Sequence, residues 1–199
     1  MKKYTFFDSF DILQDGEYIY TEYEIKGEAY KELLRLCFNY CDTMSLLAWD
    51  IIEGVTDQKL IEQMSIKKNN ALEETIKKFE IEPPENIQHN FSHYKCGFPD
   101  SEKKTKLMYV SETSVKYYKL CPELLELLTT VTNDIFGWEN HSECGRFEDP
   151  CFFRKDGSCF FLSIIHEGKL YLYLNENEDA DKLFKMSKWW TDDIFNISL

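Results

Sequence analysis

Glycine and proline are scarce, eight and five among 199 residues, and that scarcity removes several classes of site at once. There is no glycine-rich phosphate loop and no serine set between glycines in a nucleophile elbow. No apolar run approaches the ~20 residues that a membrane-spanning helix requires. The opening stretch MKKYTFFDSFDILQDG carries two lysines, but Asp8 interrupts its apolar run short of a secretion signal. The cysteines at 37, 41, 96, 121, 144, 151 and 159 contain no Cys-x-x-Cys pair. An odd number of thiols without a signal predicts reduced cysteines and a cytoplasmic location. Positive charge is short as well. The 23 Lys and Arg face 36 Asp and Glu, a net charge of −13, and no basic run is interleaved with aromatics. A nucleic-acid backbone would be repelled, so nucleic acid is not an expected partner.

What the chain does contain is apolar and aromatic side chains, 43% and 16% of residues, enough for a core. Residues 4–25 read as one or two strands around a turn at Asp15-Gly16. From Glu28 the apolar period becomes helical, with a stripe of Leu33, Cys37, Tyr40, Cys41, Met44, Leu47, Ala48 and Ile51. Gly54 stops that helix and Thr56 or Asp57 starts the next, which runs to about Phe79, so a helical hairpin is predicted. Pro83-Pro84 ends it. Residues 82–106 read as a loop, and 106–110 as a short strand. Cys121-Pro122-Glu123 opens a further helix that buries Leu124, Leu125, Leu127, Leu128, Val131 and Ile135 and ends at Gly137. Asp156-Gly157 between aromatic strands, then Gly168 before KLYLYL, give a three-stranded meander over 151–174. A short helix capped by Asn175 or Asn177 follows. The predicted fold is α+β: a helical hairpin and a further helix packed on an antiparallel sheet that includes the meander. It forms a single domain over 1–199, with possible sub-lobes 1–81 and 107–199 joined by loop 82–106.

Chemistry is sparse. His166-Glu167 has Leu170, not a second histidine, at the position a zinc-protease helix needs, so the pair reads as a turn. His89, His93 and Cys96 have ligand spacing, and His141 or Cys144 would complete a tetrahedral zinc site. Cys37 and Cys41, one helical turn apart, read as core. A calcium loop at 175–186 fails because Ala180 and Met186 replace the required Gly and Glu. The acids are unevenly placed. Residues 8–25 hold six acids and no Lys or Arg, and residues 122–149 hold seven acids against Arg146 alone. Acidic regions of this kind suit a basic protein partner, with aromatics as anchors. The candidate contacts are Asp11, Asp15, Glu17, Glu22, Glu24, Glu139 and Glu143, with Tyr18, Tyr20 and Trp138.

The segment DPCFFRKDGSCFFLSIIHEGKLYLYLNENED, residues 149–179, resembles small bacterial proteins of uncharacterised families, some associated with toxin-immunity loci. The resemblance implies an immunity-type binding protein and assigns no residue a role. Abundant Lys and Asn fit a bacterial source. The expected function is therefore a non-enzymatic, immunity- or inhibitor-type module that engages a basic partner and needs no cofactor. The alternatives are a zinc- or thiol-dependent hydrolase using the His and Cys residues of 89–96 and 141–144, and a housekeeping domain whose acidity serves only solubility.

Overall fold

The computed structural model describes residues 1–14, 17–51, 70–87, 111–138 and 144–191. Helix α1 (Glu28–Tyr40) follows the predicted stripe and buries Ala29, Tyr30, Leu33, Leu34 and Cys37. The stripe then misleads. The helix stops at Tyr40, Cys41 is extended, and residues 43–51 form strand β4 (Thr43–Ile51). The reason is a shared period. Positions i and i+4 lie on one face of a helix and also on one face of a strand, so Met44 and Ala48 fit both. Leu46, fully buried between them, fits only the strand. The next described helix is α2 (Asn70–Ile76), extended by a 3₁₀ turn over Lys77–Phe79. A strand thus separates the two helices that were expected to form a hairpin. The connection through Gly54, Thr56 and Asp57 lies outside the described residues.

Besides β4, the described residues before 82 form β1 (Lys2–Phe7), β2 (Ser9–Gln14), β3 (Glu17–Glu22) and the two-residue β5 (Glu80–Ile81). Strand β6 (Ser111–Lys119) was not anticipated, and the expected strand at 106–110 lies outside the described residues. Helix α3 (Pro122–Val131) begins at Pro122 as predicted. It ends at Val131, before a separate 3₁₀ turn over Ile135–Gly137. The meander is β7 (Phe147–Phe153), β8 (Cys159–Ile164) and β9 (Lys169–Leu174). Helix α4 (Asp181–Met186) and strand β10 (Trp190–Thr191) follow. Neither Asn175 nor Asn177 caps α4. The N-cap is Ala180, with no side-chain cap, and the Asp179 carboxylate accepts the Asp181 amide at 2.8 Å in the turn ahead of it.

Eight strands form one antiparallel sheet in the order β10-β1-β9-β8-β7-β4-β6-β5, and α+β is the fold class. Strands from 1–81 and from 107–199 interleave within it. The main core lies on the face covered by α1, α3 and α4, around Phe6, Leu33, Met44, Tyr118, Phe152, Phe160, Phe161, Leu172 and Leu183. The opposite face carries a smaller cluster of Ile87, Tyr117, Cys151 and Phe153. Strands β2 and β3 stand apart as a two-stranded hairpin, registered from Ser9↔Glu22 to Gln14↔Glu17. Its expected turn at Asp15-Gly16 lies outside the described residues.

Two glycines set the meander's turns. Gly157 has φ 84°, and a Cβ there would overlap the carbonyl oxygen of Asn86. Gly168 has φ 63° and closes the 3₁₀ turn Ile165–Glu167, and a Cβ there would overlap the Asp8 carboxylate. Both needs favour glycine. His166-Glu167 is accordingly the link between two strands.

Candidate functional site

The zinc candidates His89, His93, Cys96 and His141 lie outside the described residues. Cys144 is fully buried in the main core. Among the described residues no group of three or more His, Cys, Asp or Glu is placed to hold a metal ion. Cys37, Cys41 and Cys159 lack a nucleophile's surroundings. Burial pushes the Cys37 and Cys41 thiols well above the ordinary range, and Cys159 up to about 12. A thiol titrating near 12 carries roughly a thousandth of the thiolate of an ordinary one at neutral pH. Cys37, Cys41 and Cys159 should therefore resist iodoacetamide in the native protein and react only after unfolding in urea. Mass mapping of the labelled peptides checks this, and native labelling of Cys41 or Cys159 at the unfolded rate would refute it.

Asp149 and His166 form the described arrangement closest to a catalytic pair. Asp149 sits at φ 54°, uncommon for a residue with a side chain, and its carboxylate is entirely buried. Oδ1 accepts the Ile165 amide at 2.6 Å. Oδ2 lies 3.9 Å from Nδ1 of the half-exposed His166. That separation is too long for the hydrogen bond that orients a catalytic imidazole. The carboxylate instead braces the turn between β8 and β9. Glu167 pairs with Lys169 at 2.8 Å.

The proposed acidic contacts divide. Asp11, Glu17, Tyr18 and Tyr20 lie on the β2–β3 hairpin, where Asp11 is in register with Tyr20 and Glu17 with Gln14. Glu22 and Glu24 are exposed, and Glu24 forms an ion pair with Lys26. Asp15, Glu139 and Glu143 lie outside the described residues. Trp138 is not a surface anchor. It is 1% exposed, and its indole N–H donates to the Tyr30 hydroxyl at 2.8 Å in the core. The second acidic region does not make one face either. Glu148 is buried and accepts the Trp49 indole N–H at 2.6 Å. Asp134 accepts the Phe136 amide at 2.9 Å, and burial pushes its carboxyl up.

The base of the hairpin is fixed to the sheet. The Asp8 amide donates to the Gly168 carbonyl at 2.9 Å, and the Tyr23 amide to the Asp8 carbonyl at 2.6 Å. Beside it lies a half-buried aromatic group. Trp190 meets Phe7 and Tyr23 edge-on at 5.8 and 5.4 Å, and the Lys188 ammonium sits 5.3 Å from the Trp190 ring. The residues flanking the hairpin, Asp8 and Tyr23, thus lie beside this aromatic group.

No family model matches the chain, and neither a curated protein nor a solved structure matches it.

Two arrangements were not anticipated from sequence. Arg154, 7% exposed, clamps Glu178 from Nε and Nη2 at 2.6 and 2.5 Å and also donates to the Cys159 and Tyr173 carbonyls. It ties the β7–β8 hairpin to the segment before α4. The second is a groove of about 370 Å³ at the β5–β6 end of the sheet, where α2 meets the start of β7. The only sequence signal for the clamp was the isolation of Arg154, one of three arginines, between aromatic strands.

Proposed function

We propose that this protein is a non-enzymatic binding module, of immunity or inhibitor type, that engages a basic protein partner in the cytoplasm through the β2–β3 hairpin. The observation that carries the reading is the hairpin itself. It is a two-stranded sheet outside the main sheet, in a stretch from 8 to 25 with six acids and no Lys or Arg. An isolated two-stranded hairpin is marginally stable in water. A partner that pairs with or covers it supplies the burial and edge hydrogen bonds that the hairpin lacks, and that gain must exceed the cost of ordering it. Carboxylates along the strands steer a cationic surface toward the hairpin, in a manner that salt weakens. The aromatic group around Trp190 and Tyr23 offers an amphipathic contact of the kind enriched at interfaces. The buried Glu148 and Asp149 and the core Trp138 take no part.

Affinity capture from the native cell at low and at high salt, followed by titration of the recovered partner, tests the reading. Reversal of Asp11, Glu17 and Glu22 to lysine should weaken the complex by at least about tenfold at low salt, mostly through slower association. Glu24 is left in place because Lys26 already neutralises it. An unchanged complex, or no partner at low salt, would sink the proposal.

A further inference from the structure

The eight-stranded sheet ends in short strands and the β2–β3 hairpin does not. Strands β5 and β10, the end members of the large sheet, are each two residues long. Very short edge strands, proline, lysine and β-bulges are the usual means by which a sheet refuses further strands. The hairpin has none of these. Its strands are six residues each, and their register runs from Ser9↔Glu22 to Gln14↔Glu17 without a shift. Neither SFDILQ nor EYIYTE contains lysine or proline. Each strand pairs only with the other, so among the described residues each keeps one edge without a neighbouring strand. The outward amides and carbonyls of such an edge are a template for another chain.

We propose that the open edge of β3 takes an extended, lysine- or arginine-bearing segment of the basic partner as a third, β-paired strand. The inference rests on the hairpin reading above and adds the mode of binding and the chemistry of the bound segment. A third strand is what a two-stranded sheet lacks for stability of its own. The choice of β3 over β2 comes from their sequences. Tyr18, Ile19, Tyr20 and Thr21 are all aromatic or β-branched, the types enriched in strands and effective in cross-strand pairs, and they lie between Glu17 and Glu22. Strand β2 offers one acid, Asp11, and two such residues, Phe10 and Ile12. A strand laid along Glu17–Glu22 sets its own end residues opposite those two acids. Opposite charges so placed are favourable and like charges unfavourable. The same two acids thus admit a basic strand and turn away an acidic one. They also turn away a second copy of this chain, because antiparallel self-pairing about the centre of β3 sets Glu17 of each copy opposite Glu22 of the other.

The probe is the end-blocked peptide Lys-Thr-Val-Thr-Val-Lys, titrated at low salt into the isotopically labelled full chain and followed at the backbone amides of 17–22. Two relatives accompany it. One has glutamate at both ends, and the other keeps the lysines but has every backbone nitrogen methylated, so that it attracts without donating. The basic peptide should give saturable shifts in β3 and slow its amide exchange. The methylated form should bind at least about tenfold more weakly, because several backbone hydrogen bonds are lost together. The glutamate-ended form should also be weaker by at least about tenfold, and Glu17→Lys combined with Glu22→Lys should reverse that preference. Equal binding of the methylated form means attraction without strand pairing, which overturns this inference and leaves the basic-partner reading standing. Equal binding of the glutamate-ended form, or no saturable shift at millimolar basic peptide, overturns it as well. So does a dimer of this chain whose β3 amides are protected before any peptide is added, seen by sedimentation. The basic-partner reading fails separately, when the charge-reversed hairpin keeps its captured partner.

Discussion

Replacing Arg154 with methionine is expected to destabilise the protein by about 3–5 kcal/mol, the range for removing one partner of a buried ion pair. Methionine fills much of the volume but supplies none of the donors. Glu178, whose side chain is 10% exposed, would lose both hydrogen bonds from the guanidinium. The Cys159 and Tyr173 carbonyls would lose theirs as well. The Asn175 amide, 2.7 Å from Glu178 Oε2, would remain as a single support. The effect should also depend on pH. In the native protein burial pushes Glu178 upward, but the Arg154 hydrogen bonds and the Asn175 amide outweigh it, and the carboxyl lies below its ordinary 4.5. Its contribution is therefore complete above that ordinary value and is lost as pH falls through the lower folded one. In the methionine variant the same carboxylate is buried without its cation, so burial raises it and acid relieves the variant. Urea unfolding at neutral pH and near pH 3 should show the gap between the two proteins narrowing on acidification. A gap of equal size at both pH values would contradict the clamp.

The second large loss is expected from Trp138→Ala. Truncating a fully buried tryptophan costs about 3–5 kcal/mol through lost transfer energy and the cavity left behind. For a chain of this length that lowers Tm by roughly 6–20 °C. The site also holds a chain of hydrogen bonds. The indole N–H reaches the Tyr30 hydroxyl, which donates to the Leu128 carbonyl at 3.3 Å. Tyr30 is entirely buried, and burial drives its hydroxyl well above the ordinary 10.0, so it serves as a neutral donor throughout the working pH range. Removing the indole leaves that hydroxyl without its donor, while the backbone bonds of Gly27 to Asn133 and of Ile135 to Ile25 still hold α1 to the turn after α3. Scanning calorimetry checks the prediction. Unchanged stability would return Trp138 to the surface role that its sequence context suggested.

The meander was legible because its turns are chemical. At Asp156-Gly157 the carboxylate accepts the Ser158 amide and the glycine takes a left-handed angle, and both preferences are local. The same holds for Pro122 at the start of α3, whereas residues 4–25, read as one or two strands, hold three, with β1 in the main sheet and β2 paired with β3 outside it. Strand β4 was illegible for the opposite reason. It lies between β7 and β6 with every residue from 43 to 48 buried, so Leu46, Leu47 and Ala48 run together and no outward polar face marks it. Strand β6 hides among polar residues because only part of it faces a core: Tyr118 packs on one side of the sheet and Tyr117 on the other. Of the candidate contacts, the acids between 8 and 25 were picked by counting charge, and Asp11 and Glu17 fall on β2 and β3. Counting also picked up Glu148 and Asp149, which fold inward, because charge alone does not say which carboxylates have a buried donor waiting. The clamp of Arg154 on Glu178 and the groove lined by Glu73 and Arg146 join residues far apart in the chain, and no local pattern announces either.

The position of β1 has a consequence in time. Phe7 pairs with Lys169 and Lys2 with Leu174 on one side, while Tyr4 pairs with Thr191 on the other. At about 5–20 residues per second of synthesis, roughly ten to thirty seconds separate the emergence of β1 from that of β9. Through that interval the strand KKYTFF has neither of its neighbours in the sheet. The partner strands leave the ribosome long after β1, so closure of this part of the sheet waits for them. Until then the chain presents an open β-edge carrying Tyr4, Phe6 and Phe7, a surface on which chaperones and aggregation compete.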